Sequence, residues 1–118
     1  MRIWKQAISL ESLTANSAGT AVSHLGIEFL EVGDDFIRAR VPVDHRTIQP
    51  YGLLHGGVAV VLAETLGSCG AAYAAPEGHR VVGLDINANH PKAPPAAGSR
   101  ASRGQYTLAA ARRCGPLS

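Results

Sequence analysis

Between Gly56 and Ala75 the chain carries a single charged side chain, Glu64, in a stretch that is otherwise apolar, small or hydroxylated. Val58, Val60, Val61, Leu62, Leu66, Ala71, Ala72 and Tyr73 cover most of the circumference of a helix, and a helix apolar all round is a buried one. About 20 residues give a helix roughly 30 Å long, enough to cross a bilayer. Glu64 near its middle would cost on the order of 3 kcal/mol to insert, and Gly67 and Gly70 weaken a membrane span further. We therefore expect a central helix and no membrane, with Gly57, Ala59, Ala63, Gly67 and Gly70 letting a sheet lie close.

The flanking segments supply that sheet. Ile27–Val32, the turn Gly33-Asp34-Asp35 and Phe36–Val43 read as a β-hairpin. Ile37, Ala39, Val41 and Val43 alternate with Phe36, Arg38, Arg40 and Pro42, the period of two of a half-buried antiparallel strand. Ser9 reads as the N-cap of a short helix with Glu11 in its first turn, broken at Asn16–Gly19. A second helical piece through Ala21, Val22 and Leu25 ends at Gly26. Asp44–Gly52 is a loop, and Arg80–His90 alternates as a third strand. Strands on both sides of one buried helix predict an α+β fold, an antiparallel sheet packed on that helix.

The 118 residues make one domain, but charge divides it unevenly. Up to residue 90 six Lys and Arg face nine acids, net −3; residues 91–118 hold five and no acid, net +5. The basic pI of 8.8 thus belongs to the tail and is no sign of nucleic-acid binding. Residues 91–118 contain seven Ala, four Pro, four Arg, three Gly and three Ser, with Leu108 and Leu117 the only large aliphatics. That composition predicts a disordered tail without a core strand, at most a weak helix over Tyr106–Arg113. Ala, Arg, Pro and Gly share GC-rich codons, so the tail also reads as an altered reading frame. Cys69 and Cys114 form no disulfide framework or metal spacing, and MRIWKQAISLE is not a signal peptide, which places the chain in a reducing cytoplasm.

The residues able to do chemistry cluster in Gln49-Pro50-Tyr51-Gly52-Leu53-Leu54-His55-Gly56-Gly57, which opens into the helix bearing Glu64. Pro50 holds Gln49 extended. At the helix start, unpaired N–H groups and the positive end of the dipole favour developing negative charge, and Gly56 and Gly57 leave those donors open. This is the form of an oxyanion site; taken alone it is equally a Gly-rich helix start capped by a histidine. Glu64 tips the balance. A lone carboxylate on an apolar helix is costly unless paired or useful, and Ser68 lies one turn on, on the same face. His24, His45 and His79 fall on surface-like segments. No zinc spacing, nucleophile elbow, phosphate loop or dinucleotide fingerprint is present, so no cofactor is expected.

The string QPYGLLHGGVAVVLAETLGS, followed by VVGLDINANH, resembles the hotdog-fold acyl-CoA thioesterases, and most the branch that hydrolyses 1,4-dihydroxy-2-naphthoyl-CoA in menaquinone synthesis and related aryl- or acyl-CoA thioesters. The resemblance runs from Ile3-Trp4-Lys5 to His90. It implies a hotdog domain over residues 1–90, incomplete thereafter, with 91–118 as its tail. It implies a homodimer or homotetramer with active sites between subunits, an acyl-CoA substrate whose CoA is no cofactor, and no nucleic-acid partner. By position, Glu64 would be the catalytic carboxylate and the Gly56 N–H would polarise the thioester carbonyl. Gln49 and His55 would orient thioester or water, Ser68 would hold Glu64 or the water, and Gly57, Asn89 and His90 would line the substrate. Because the resemblance ceases after His90, a truncated, non-catalytic hotdog remnant or a CoA-thioester binding protein is the alternative expectation.

Overall fold

The computed structural model describes residues 2–76 and 104–111. The elements are α1 (Leu10–Ser17), α2 (Ala21–His24), β1 (Glu28–Val32), β2 (Phe36–Pro42), α3 (Gly56–Ala74) and β3 (Gln105–Ala111). The strands form one antiparallel sheet in the order β1-β2-β3, and α3 packs on β2 and β3. This is the α+β hotdog arrangement, a long helix against an antiparallel sheet.

Local chemistry starts and stops each element. Ser9 accepts from the Ser12 N–H at 3.0 Å while Ser12 Oγ accepts from the Ser9 N–H at 3.1 Å, a reciprocal cap for α1. Thr20 caps α2 through the Val22 N–H, and the chain leaves α2 at Gly26, whose φ of +80° favours glycine. In the hairpin the Gly33 N–H donates to the Phe36 carbonyl at 2.8 Å. A Cβ on Gly33 would stand 2.0 Å from the Phe36 ring, so this turn requires a residue without one.

On β2, Ile37, Ala39 and Val41 are buried and Arg38 is exposed, as the alternation predicts. Arg38 and Arg40 on its outer side pair with Glu31 and Glu28 of β1. Leu13, Ile27, Phe29, Val43, Leu54, Ala59, Leu62 and Leu66 complete the core. The N-terminal segment ties the two layers together. Trp4 Nε1 donates to the Gly33 carbonyl at 2.8 Å, the Lys5 N–H to the Tyr73 carbonyl at 2.9 Å, and Gln6 Nε2 to the Ala72 and Ala75 carbonyls. Gln6 thus satisfies carbonyls at the end of α3 that the helix itself leaves open.

Two expectations are corrected. Gln105–Ala111 is neither disordered nor helical; it is β3. The open edge of β2 offers unpaired N–H and C=O groups, and Tyr106, Leu108 and Ala110 fall opposite the inward-facing Val41, Ala39 and Ile37. Those three side chains are half-buried while Gln105, Thr107 and Ala109 are exposed, so a weak alternation outweighs the helix preference of alanine. The second correction concerns α3. Among the described residues it buries Ala59, Leu62, Leu66 and Ala74, while Val58, Val60, Val61, Glu64 and Ser68 are half-buried. Among the described residues, sheet covers one side of the helix. The expected strand at Arg80–His90 and the division at residue 90 lie outside the described residues.

Candidate active site

Two features position the loop ahead of α3. At its root, Thr47 Oγ1 donates to the Pro42 carbonyl at 2.6 Å and accepts from the Asp44 N–H at 3.0 Å, with Thr47 only 1% exposed. Asp44 in turn accepts from the Arg46 backbone and guanidinium, and that guanidinium holds its carboxyl below the usual aspartate range. Above this root a small hairpin forms. The His55 N–H donates to the Thr47 carbonyl, Ile48 bridges Leu54, and the Gln49 N–H donates to the Leu53 carbonyl, each bond 2.8 Å long. Pro50 follows Gln49 in the turn closed by the Gly52 N–H to Gln49 carbonyl bond, and Gly52 has a φ of +82°, the left-handed residue such a loop needs. Tyr51 stands at the tip, 88% exposed.

His55 is the N-cap of α3. Its Nδ1 accepts from the Gly57 N–H at 2.9 Å. The capping role weighed from sequence is therefore real, and it leaves the Gly56 N–H unengaged: among the described residues no acceptor faces it. Gln49 turns its carbonyl oxygen back on its own loop, accepting from the Tyr51 and Leu53 N–H groups. About three turns into α3, Ser68 Oγ donates to Glu64 Oε1 at 3.0 Å, as the spacing of four predicts. Glu64 enters no ion pair among the described residues. Its carboxylate therefore keeps acceptor capacity on the half-exposed side of the helix.

The small hairpin thus carries Gln49 on one arm and leads through the other into His55, Gly56 and Gly57, while Glu64 and Ser68 form a second group. Eight residues at 1.5 Å each separate Gly56 from Glu64 by about 12 Å along the axis, more than a glutamate side chain spans. Asn89 and His90 lie outside the described residues. Thr47 was not foreseen as part of the site; the Asp44-x-x-Thr47 spacing, in which Thr47 Oγ1 accepts from the Asp44 N–H while the Thr47 N–H donates to the Asp44 carbonyl, is the pattern that could have revealed it. No group of three or more metal-ligating side chains occurs among the described residues. Burial pushes the Cys69 thiol up, which makes it a poor nucleophile.

The family model described as "Thioesterase superfamily" matches residues 51–97, the stretch that begins in this loop and contains α3. The crystal structure of a Haemophilus influenzae thioesterase superposes with a TM-score of 0.82 at 49% identity, covering 92% of this chain and 71% of that one. The chain belongs to the thioesterase superfamily. The 1,4-dihydroxy-2-naphthoyl-CoA hydrolase of Escherichia coli is 56% identical over 89 residues, covering 75% of this chain and 65% of that protein. The proofreading thioesterase EntH of Cronobacter turicensis is 53% identical over 91 residues, covering 77% and 66%. The chain thus spans just under two thirds of the length of these two thioesterases. The structural match to the Haemophilus influenzae thioesterase takes in more of this chain than either sequence match, 92% against 75% and 77%.

Proposed function

We propose that this protein hydrolyses an acyl-CoA thioester to the free acid and CoA, in the cytoplasm, with an aryl acyl group of the 1,4-dihydroxy-2-naphthoyl kind. The observation that carries the reading is the Gly56 amide, without a hydrogen bond among the described residues, at the start of the same helix that bears the Ser68-bonded Glu64 carboxylate. The Gly56 N–H would donate to the thioester carbonyl oxygen, where negative charge grows as the tetrahedral intermediate forms. Glu64 would add to the carbonyl carbon or take a proton from the water that does, and the C–S bond would break as CoA thiolate leaves; on the first route water then hydrolyses the acyl-glutamyl anhydride to free acid and Glu64. The dihydroxynaphthoyl preference leans on the name of the E. coli relative.

The separation of about 12 Å along one helix means that a carbonyl held at Gly56 is out of reach of the Glu64 of the same chain. A second copy would bring its Glu64 to the loop of the first. The half-buried Val60 and Val61 beside Glu64 give that copy an apolar surface to cover. On this reading we propose a homodimer or homotetramer with sites between subunits.

The test is release of thiol from benzoyl-CoA and 1,4-dihydroxy-2-naphthoyl-CoA by the purified protein and by Glu64→Gln. Loss of a carboxylate acting on the reacting atoms lowers the rate on the order of 10² to 10⁴-fold. Equal rates would remove Glu64 from the mechanism. A folded wild-type chain that releases no thiol from either substrate would favour a non-catalytic remnant.

A further inference from the structure

We infer that the loop locks His55 in one tautomer, making it a hydrogen-bond donor toward the substrate and not a base. The inference rests on the thioesterase reading for its substrate, but the lock itself is written in the hydrogen bonds of the loop.

The Gly57 N–H donates to His55 Nδ1 at 2.9 Å. A ring nitrogen that accepts must hold a lone pair, so the neutral imidazole carries its proton on Nε2. A second observation supports the arrangement independently. A Cβ on Gly57 would lie 2.9 Å from Nδ1 and 3.0 Å from Cε1 of His55, so the ring occupies space that only glycine at 57 leaves. Gln49 is oriented by the same logic. Its Oε1 faces two backbone donors, Tyr51 and Leu53, which assigns the oxygen inward and leaves the amide N–H groups as the outward end. Among the described residues, both polar side chains of this loop therefore have an acceptor engaged by backbone N–H groups and their donors unused.

This division suits thioester hydrolysis. Negative charge grows on the carbonyl oxygen and then on the departing sulfur, and each is stabilised by donors already in place. His55 cannot take the proton of the attacking water, because the one free lone pair of its neutral ring is engaged. The proton goes instead to the Glu64 carboxylate that a second copy brings to the loop. The His55 Nε2–H would bond to the oxygen or sulfur that becomes negative and would keep its proton throughout.

The test has two arms on the 118-residue chain. Long-range 1H–15N correlation spectra at pH 8 read the tautomer directly, the His55 signals being those lost in both His55→Asn and His55→Gln. The Nε2–H pattern is expected; the Nδ1–H pattern, or fast averaging of the two, overturns the lock. In the second arm, asparagine keeps an acceptor for the Gly57 N–H but has no atom where Nε2 lies, whereas glutamine places an amide donor there. With thermal midpoints near wild type, His55→Asn is expected to slow thiol release on the order of a hundredfold, as loss of one oxyanion donor does. His55→Gln should recover much of it. Wild-type turnover in His55→Asn, or equal loss in both variants, would overturn the donor role. If the wild-type chain releases no thiol, the proposed function fails while the spectra still decide the tautomer.

Discussion

Replacing Thr47 by valine keeps the shape of the side chain and removes its hydroxyl. That hydroxyl donates to the Pro42 carbonyl and accepts from the Asp44 N–H, and Thr47 is buried. Valine therefore leaves one carbonyl and one amide without a partner at the end of β2. An unsatisfied buried group costs about 1–3 kcal/mol, and Asp44 is only half-buried, so the pair costs about 2–4 kcal/mol. Serine keeps both bonds and forfeits one methyl, about 1 kcal/mol. Urea unfolding of the two variants at one protein concentration measures the difference, with the slope m compared to exclude a change in the unfolded state. The His55 N–H is bonded to the Thr47 carbonyl, so thiol release should also fall in Thr47→Val and survive in Thr47→Ser. If Thr47→Val is as stable as Thr47→Ser, the hydroxyl does not anchor the loop and the reasoning fails.

Gly57→Ala should separate stability from activity: alanine adds about 0.5–1 kcal/mol of helix preference, offset by loss of a cap worth about 1 kcal/mol. The thermal midpoint should stay near wild type while turnover falls with the displaced His55 ring, and unchanged turnover would contradict the contact. The Arg46 guanidinium lowers the Asp44 pKa in the folded state, so the pair stabilises fully above the ordinary aspartate value, about 3.9, and the stabilisation is lost as pH falls through the lower folded value. The stability difference between wild type and Asp44→Asn should accordingly shrink in acid; a constant difference would refute it. In a Cys114→Ser background, burial of Cys69 predicts slow alkylation by iodoacetamide until the protein is unfolded, and rapid labelling of the native protein would show the thiol to be open.

Much of this protein is legible one residue at a time. Ser9, Gly26, the Gly33 turn and the alternation along Phe36–Val43 each act over a few residues, through caps, left-handed backbone and period two. They are read correctly because no distant partner is needed. The same holds for Glu64 and Ser68, whose hydrogen bond follows from four residues of helix. Gln105–Ala111 is different. Its alanines favour helix, and only the unpaired edge of β2, more than sixty residues away in the chain, makes it a strand. The one-sided burial of α3 among the described residues has the same origin, since composition states how apolar a helix is but not how many surfaces meet it. His55 shows the boundary most sharply. The sequence places it before two glycines at a helix start; only the folded loop aims the Gly57 amide at Nδ1 and so decides which nitrogen keeps the proton, because a tautomer is set by the partner the ring meets in space.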